Sequence, residues 1–144
     1  MFFSRPCQHA IRALVHLTTH QGKALCNVQE IATAEDLPTP ALAAVLQNLG
    51  RAGLIRSHKG PKGGFMLARP ASEMTLYEIM EAVDKTRHLF DCALGFEPCS
   101  DQTPCPVHDR LTQVRQELVA YLQAVTVADM AAIVAQKKQI ASSE

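Results

Sequence analysis

Residues 27–68 read NVQEIATAEDLPTPALAAVLQNLGRAGLIRSHKGPKGGFMLA, and the order of starts, stops and turns along them decides the fold. Asn27 followed by Glu30 has the form of a capping box, so a short helix is expected through Val28, Ile31 and Ala32. Glu35-Asp36-Leu37-Pro38 breaks it in a tight turn. Thr39-Pro40 then supplies a cap and an initiating proline for a second helix. Its Leu42, Val45, Leu46 and Leu49 share one stripe, and Gly53 marks its stop. Two strand-like runs follow, Leu54 to His58 and Phe65 to Ala68. Between them Lys59-Gly60-Pro61-Lys62-Gly63-Gly64 is too rich in Gly and Pro for anything but a turn. Two short helices followed at once by a hairpin with a cationic tip make a winged helix-turn-helix.

Outward from that stretch the chain reads as helical. Ala10, Ile11, Ala13, Leu14, Val15, Leu17 and Thr18 recur at helical spacing, giving a first helix from Arg5 to His20 with Pro6 in its opening turn. Thr75 and Glu78 form another capping box, ahead of Leu76, Ile79, Met80 and Val83. Arg87 to Pro106 has no periodicity and is expected to be a loop. From Val107 a long helix aligns Leu111, Val114, Leu118, Tyr121, Leu122 and Val125. Positions 111, 118 and 125 repeat every seven residues, which suits a helix–helix seam, although packing on its own domain would use the same face. Thr126 with Asp129 opens a final helix. The expected class is mainly α with a small β-hairpin wing. Residues 1–86 would form the DNA-binding unit, 87–106 a cysteine-bearing loop and 107–144 the dimerisation helices.

A chain of 144 residues with 47% hydrophobic content can build a real core. It has no apolar run long enough for a membrane span, and its N-terminus lacks a signal-peptide pattern, so a cytoplasmic protein is expected. The formal net charge is zero. Its distribution is not even. Leu37 to Ser72 contains no acid but holds Arg51, Arg56, Lys59, Lys62 and Arg69, whereas Glu73 to Glu117 carries nine acids against four bases. A phosphate backbone responds to local potential, so this basic segment is a workable nucleic-acid footprint.

With the leucine stripe claimed by the core, the second helix of the pair presents Thr39, Ala43, Ala44, Gln47, Asn48 and Arg51. Gln and Asn can pair bidentately with adenine, Arg with guanine, and alanine methyls can meet thymine methyls. In the hairpin, Gly60, Gly63 and Gly64 are expected to let the backbone approach a duplex, with Pro61 beside them at the tip, while Lys59 and Lys62 supply charge toward its phosphates. A plain solvated helix face is the alternative, and the basic hairpin directly after the helix argues against it. A nucleotide-binding phosphate loop is excluded by the missing Lys-Ser/Thr ending and following helix.

Five cysteines suit no complete disulfide framework. Cys92, Cys99 and Cys105 are separated by six and five residues, and His108 follows after two more. Thiolates favour iron–sulfur clusters or zinc, and Cys-x-x-His can place two ligands on one turn. On spacing alone a cluster, a zinc site, a thiol switch and inert cysteines all stay open. Cys7 and Cys26, on or beside helices, read as small buried hydrophobes. His9, His16, His20, His58 and Arg12 make no catalytic set, so nothing supports an enzyme.

These residues together resemble the Rrf-type transcriptional regulators, the group of IscR, NsrR and RirA. The likeness runs through Ser4-Arg5, Ala10-Ile11-Arg12-Ala13-Leu14, Gly53-Leu54-Ile55 and the wing Gly60-Pro61-Lys62-Gly63-Gly64-Phe65. It continues in Ile79-Met80-Glu81-Ala82-Val83-Asp84, the three cysteines and Thr126-Val127-Ala128-Asp129-Met130. The resemblance implies a homodimer that crosses its long helices and sets two winged units on a pseudo-palindromic double-stranded DNA operator. It implies neither a membrane partner nor a small-molecule substrate. It also implies an iron–sulfur cluster on Cys92, Cys99 and Cys105 plus one weaker ligand. His108 matches the IscR-like fourth ligand, whereas the NsrR-like carboxylate position carries Gln8, which favours a 2Fe–2S over a 4Fe–4S centre. Two departures stand out. The first cysteine spacing is one residue longer than usual, and Cys7 beside Gln8 offers a further thiolate. Ala43 replaces a glutamate with which IscR chooses between DNA sites.

Overall fold

The computed structural model describes residues 2–20 and 25–143, with backbone only at 87 and 88. Met1 and Glu144, which bound the expected first and last segments, lie outside the described residues. Six helices and one hairpin follow in order: α1 (Arg5–Thr19), α2 (Val28–Glu35), α3 (Thr39–Arg51), β1 (Ile55–His58), β2 (Gly64–Leu67), α4 (Leu76–Val83), α5 (His108–Ala124) and α6 (Val127–Ser142). The mainly α winged-helix class is as the sequence indicates.

Helix α1 is the central post. Ser4 caps it by accepting the Cys7 amide, and Pro6 sits in the first turn. Its buried face is Cys7, Ala10, Ala13, Leu14 and Leu17, with Ile11 at the margin. Small residues on this face let α3, α4 and α6 pack closely around it. Leu42, Leu46 and Leu49 of α3, Ile79 and Met80 of α4, Leu122 of α5 and Val127 of α6 complete one core. Burying each such side chain is worth about 1.5–3 kcal/mol.

The expected capping boxes form at Asn27/Glu30, Thr75/Glu78 and Thr126/Asp129. Between α2 and α3, Asp36 takes the left-handed conformation at φ 50°, which turns the chain sharply. One boundary differs from the sequence reading. Thr39 does not cap α3: the helix begins one residue earlier because the Pro38 carbonyl already accepts the Leu42 amide. Thr39 Oγ1 instead donates to Gln29 Oε1 at 3.4 Å. The far end behaves as read, with Gly53 at φ 75° after the Ala52 cap.

β1 and β2 pair antiparallel, Ile55 opposite Leu67 and His58 opposite Gly64. Cys26 adds a one-residue third strand by exchanging both backbone hydrogen bonds with Phe65. This pairing gives the wing glycines an internal reason. A Cβ on Gly64 would lie 2.6 Å from the Cys26 carbonyl oxygen, and one on Gly63 would lie 2.1 Å from that of His58. The expectation that Gly63 serves close approach to a duplex therefore has a competing cause within the chain.

Thr75 and Thr126, the caps of α4 and α6, lie side by side in an isolated antiparallel bridge. The amides of Leu76 and Val127 donate to the carbonyls of Val125 and Met74 there. The segment before α5 is irregular apart from a 3-10 turn at Thr86–Leu89, close to the expected loop. Along α5, only Leu122 is fully buried, while Val114 and Tyr121 are exposed. In-domain packing thus takes Leu118, Leu122 and Val125 and leaves Val114 and Tyr121 open. Among the described residues, no helix is long and apolar enough to cross a membrane.

Candidate nucleic-acid interface and thiol centre

α3 turns its leucine stripe inward, which leaves Ala44, Gln47 and Arg51 exposed and Ala43 and Asn48 half-buried at the edges. Thr39 stands half-buried at the N-terminal tip. Lys59, Gly60, Pro61 and Lys62 are exposed at the hairpin tip, with Gly63 partly covered behind them. Between helix and hairpin runs a groove of about 670 Å³, lined among others by Gln47, Arg51, Arg56, Ser57 and His58. The structure thus adds Arg56 and His58 to one concave surface with Gln47 and Arg51. Their signal was present in the sequence as the exposed positions of a strand that buries only Ile55. Arg69 is withdrawn from the basic surface, since it pairs with Glu78 at 2.8 Å.

The cysteine loop folds back on itself. The Sγ atoms of Cys92, Cys99 and Cys105 all lie within 4.8 Å of one another. Glu97 braces the turn, accepting the Cys92 amide at 2.9 Å and the Cys99 amide at 3.4 Å. The His108 amide donates to the Cys105 carbonyl, closing the Cys-x-x-His step at the first residue of α5. That turn carries the imidazole back to the thiols, with Nδ1 3.0 Å from Cys99 Sγ. The other ring nitrogen, Nε2, lies 3.0 Å from Asp101 Oδ1. A carboxylate only accepts, so Nε2 donates to Asp101, which turns Nδ1 toward the sulfurs, where in the neutral ring it is the nitrogen able to ligate. The sequence reading did not include Asp101.

The thiols differ in acidity. Cys92 is held below the ordinary thiol range, chiefly by the backbone amide of Leu94, with help from Phe96 and the neighbouring thiols. At Cys99 the Cys105 amide pulls downward, but partial desolvation and hydrogen bonds to the Cys105 and Cys92 thiols outweigh it and raise the pKa. Cys92 is thus the more acidic and Cys99 the less acidic of two neighbouring thiols. Three soft sulfurs and one imidazole nitrogen fit an iron–sulfur cluster, and the same set fits tetrahedral zinc.

Cys7 and Cys26 stand apart, both buried. Burial, then the adjacent Asp84, pushes the Cys7 thiol up to about 12. The idea that Cys7 supplies an additional thiolate is therefore set aside, because at neutral pH it remains a fully enclosed thiol.

Residues 3–133 match the family model described as Rrf2, iron-dependent transcriptional regulator. A protein of Aquifex aeolicus assigned as an HTH-type transcriptional regulator is 31% identical over 132 residues, covering 90% of this chain and 91% of its own. The HTH-type transcriptional regulator IscR of Cereibacter sphaeroides is 40% identical over 97 residues, 66% of this chain and 63% of its own. Among solved structures, CymR, the global cysteine regulator of B. subtilis, matches with a TM-score of 0.74 at 20% identity, covering 92% of this chain and 98% of CymR.

Proposed function

Because the chain belongs to the Rrf2 family of transcriptional regulators, we propose that it is a homodimeric, cytoplasmic DNA-binding regulator controlled by an iron–sulfur cluster on Cys92, Cys99, Cys105 and His108. The observation that carries this reading is the convergence of three sulfurs within 4.8 Å, with Nδ1 of His108 turned toward them. A cluster so bound would supply sensitivity to oxygen, nitric oxide or iron supply. The resemblance to IscR-like members, with His108 in the place of their fourth ligand, favours a 2Fe–2S centre.

DNA would be read by the exposed face of α3, with Gln47, Asn48 and Arg51 at base edges and Thr39 and Ala43 beside them. Lys59 to Gly63 would lie against the minor groove or its phosphates. Two copies related by a twofold axis would meet along the exposed face of α5 and require half-sites about one helical turn, or a multiple of it, apart. Holding the four ligands together fixes the loop that leads straight into α5. Order in that loop is thereby coupled to the dimer geometry, and a coupling of about 1–3 kcal/mol would suffice for regulation.

Anaerobic purification with visible absorption and iron and sulfide analysis tests this reading. Colour with matched iron and acid-labile sulfide, lost on replacing the three cysteines by alanine together with operator affinity, is the expected result. Colourless, zinc-loaded protein would overturn it.

A second reading is favoured by the same sulfur proximity. Three thiols this close, one with a lowered pKa, can exchange into a disulfide when an oxidant is present. Mass mapping after mild peroxide should then reveal a specific bridge among the three.

A further inference from the structure

Arg115 lies half-buried in the middle of α5 and belongs neither to the core nor to the DNA surface. Its neighbours one turn away on either side are Leu111, Thr112, Leu118 and Val119. The helix therefore offers it no carboxylate at the spacing of a helical ion pair. No acid elsewhere among the described residues pairs with it. The guanidinium reaches off the helix instead. Its Nη2 donates to the backbone carbonyl of Asp91 at 2.5 Å, across 24 residues of sequence.

That carbonyl belongs to the peptide group that begins Cys92. The N–H of the same group donates to Glu97 Oε1 at 2.9 Å, so one peptide unit is held at both ends by opposite charges. Hydrogen bonds to ionised partners are roughly twice as strong as neutral ones. The Cys92 carbonyl accepts the Gly95 amide at 3.1 Å, closing the turn whose Leu94 and Phe96 amides bond the Cys92 sulfur. Glu97 relates Cys92 to Cys99 within the loop, whereas Arg115 relates Cys92 to a helix. At the far end of the loop Cys105 is closed onto His108, the first residue of α5. The first and last thiols are thus both referred to one helix, at Arg115 and His108, two turns and about 10 Å apart along its axis.

We propose that Arg115 is a positioning residue of the thiol centre: its grip on the Asp91 carbonyl sets Cys92 within reach of Cys99 and Cys105 and registers the loop on α5. It touches no sulfur and is no ligand. Leu111 and Leu118, one turn to either side, belong to the helical seam. A change in how the sulfurs are occupied is therefore passed to the middle of the long helix as well as to its first turn. This last consequence rests on the proposed control of the regulator by its thiol centre; the positioning itself does not.

The positioning is read without any cofactor. The full-length chain, reduced and metal-free, is treated with diamide, which oxidises two thiols to one disulfide and is itself reduced, and the bridges are mapped by mass. Wild type is compared with Arg115→Met, which keeps an unbranched apolar stem but no donor, and with Arg115→Lys, which restores a donor. Circular dichroism first shows all three folded. Wild type should bridge Cys92 to Cys99 or Cys105. In Arg115→Met the share of bridges containing Cys92 should fall several-fold in favour of Cys99–Cys105, and Arg115→Lys should recover much of it. Equal distributions in wild type and Arg115→Met, or a loss spread evenly over all bridges, would overturn the proposal whatever the centre binds. A shifted distribution in a protein that carries no iron would uphold it and count against the cluster reading alone.

Discussion

Cys99 Sγ and His108 Nδ1 lie 3.0 Å apart across nine residues of sequence, and Asp101 grips the opposite nitrogen of the same ring. The carboxylate sets the tautomer that leaves His108 able to ligate. Asp101→Ala should therefore weaken cofactor retention by about 10–100-fold although it removes no ligand atom. Iron release to a chelator under anaerobic conditions measures this. Retention equal to wild type would show that Asp101 does not orient His108 for ligation.

Lys59 and Lys62 project from the hairpin tip with no ion-pair partner among the described residues. Replacing either by alanine should weaken binding to all duplexes alike. The slope of log affinity against log salt should fall by about 0.9 for each phosphate left without its lysine. An unchanged slope would remove the wing from the phosphate backbone.

Gln47 stands exposed on α3 and shares its groove with Arg51 and Arg56. Gln47→Ala should cost about 1–3 kcal/mol on the preferred operator and little on others. Binding measured over a panel of single-base variants decides the matter; a uniform loss would contradict a base-reading role.

Gly64→Ala should destabilise the chain by about 1–3 kcal/mol, because its Cβ would press on backbone rather than on a flexible side chain. The shift in denaturant midpoint measures it. The same change at Gly60, where a Cβ meets nothing within 4 Å, encounters only the left-handed φ of 113°. Gly64→Ala should be the costlier of the two for stability.

Glu78 is held below its ordinary value of 4.5: desolvation opposes the shift, but the Thr75 amide and Arg69 outweigh it. A depressed folded pKa stabilises above the unfolded value and loses that contribution as pH falls through the folded one. Stability should thus decline below about pH 4.5, and Glu78→Gln should flatten the acid limb of a plot of unfolding midpoint against pH. Equal acid limbs would show that the capping box and its arginine contribute nothing to acid lability.

Much of this was legible in the sequence because it is local. The capping pairs at Asn27, Thr75 and Thr126, the Gly53 stop and the hairpin each depend on residues within a few positions of one another, and all form. What escaped depends on distant partners. Cys26 could not be recognised as a strand residue until Phe65 was placed beside it. Gly64 reads as a generic turn glycine until the Cys26 carbonyl appears under it. Asp101 resembles any loop acid before the ring of His108 turns toward it. The start of α3 differs by one residue, since Thr39-Pro40 and Pro38 offer competing signals and the backbone uses the earlier carbonyl.

The bridge between Thr75 and Thr126 gives the molecule a fulcrum. α5 has the cysteine loop at one end and this stitch at the other, where the carbonyl of Val125 is fastened to the first amide of α4. The end of the long helix away from the sulfurs is thus tied to α4 by backbone, and under the proposed function a displacement at the sulfurs would act about that tied end.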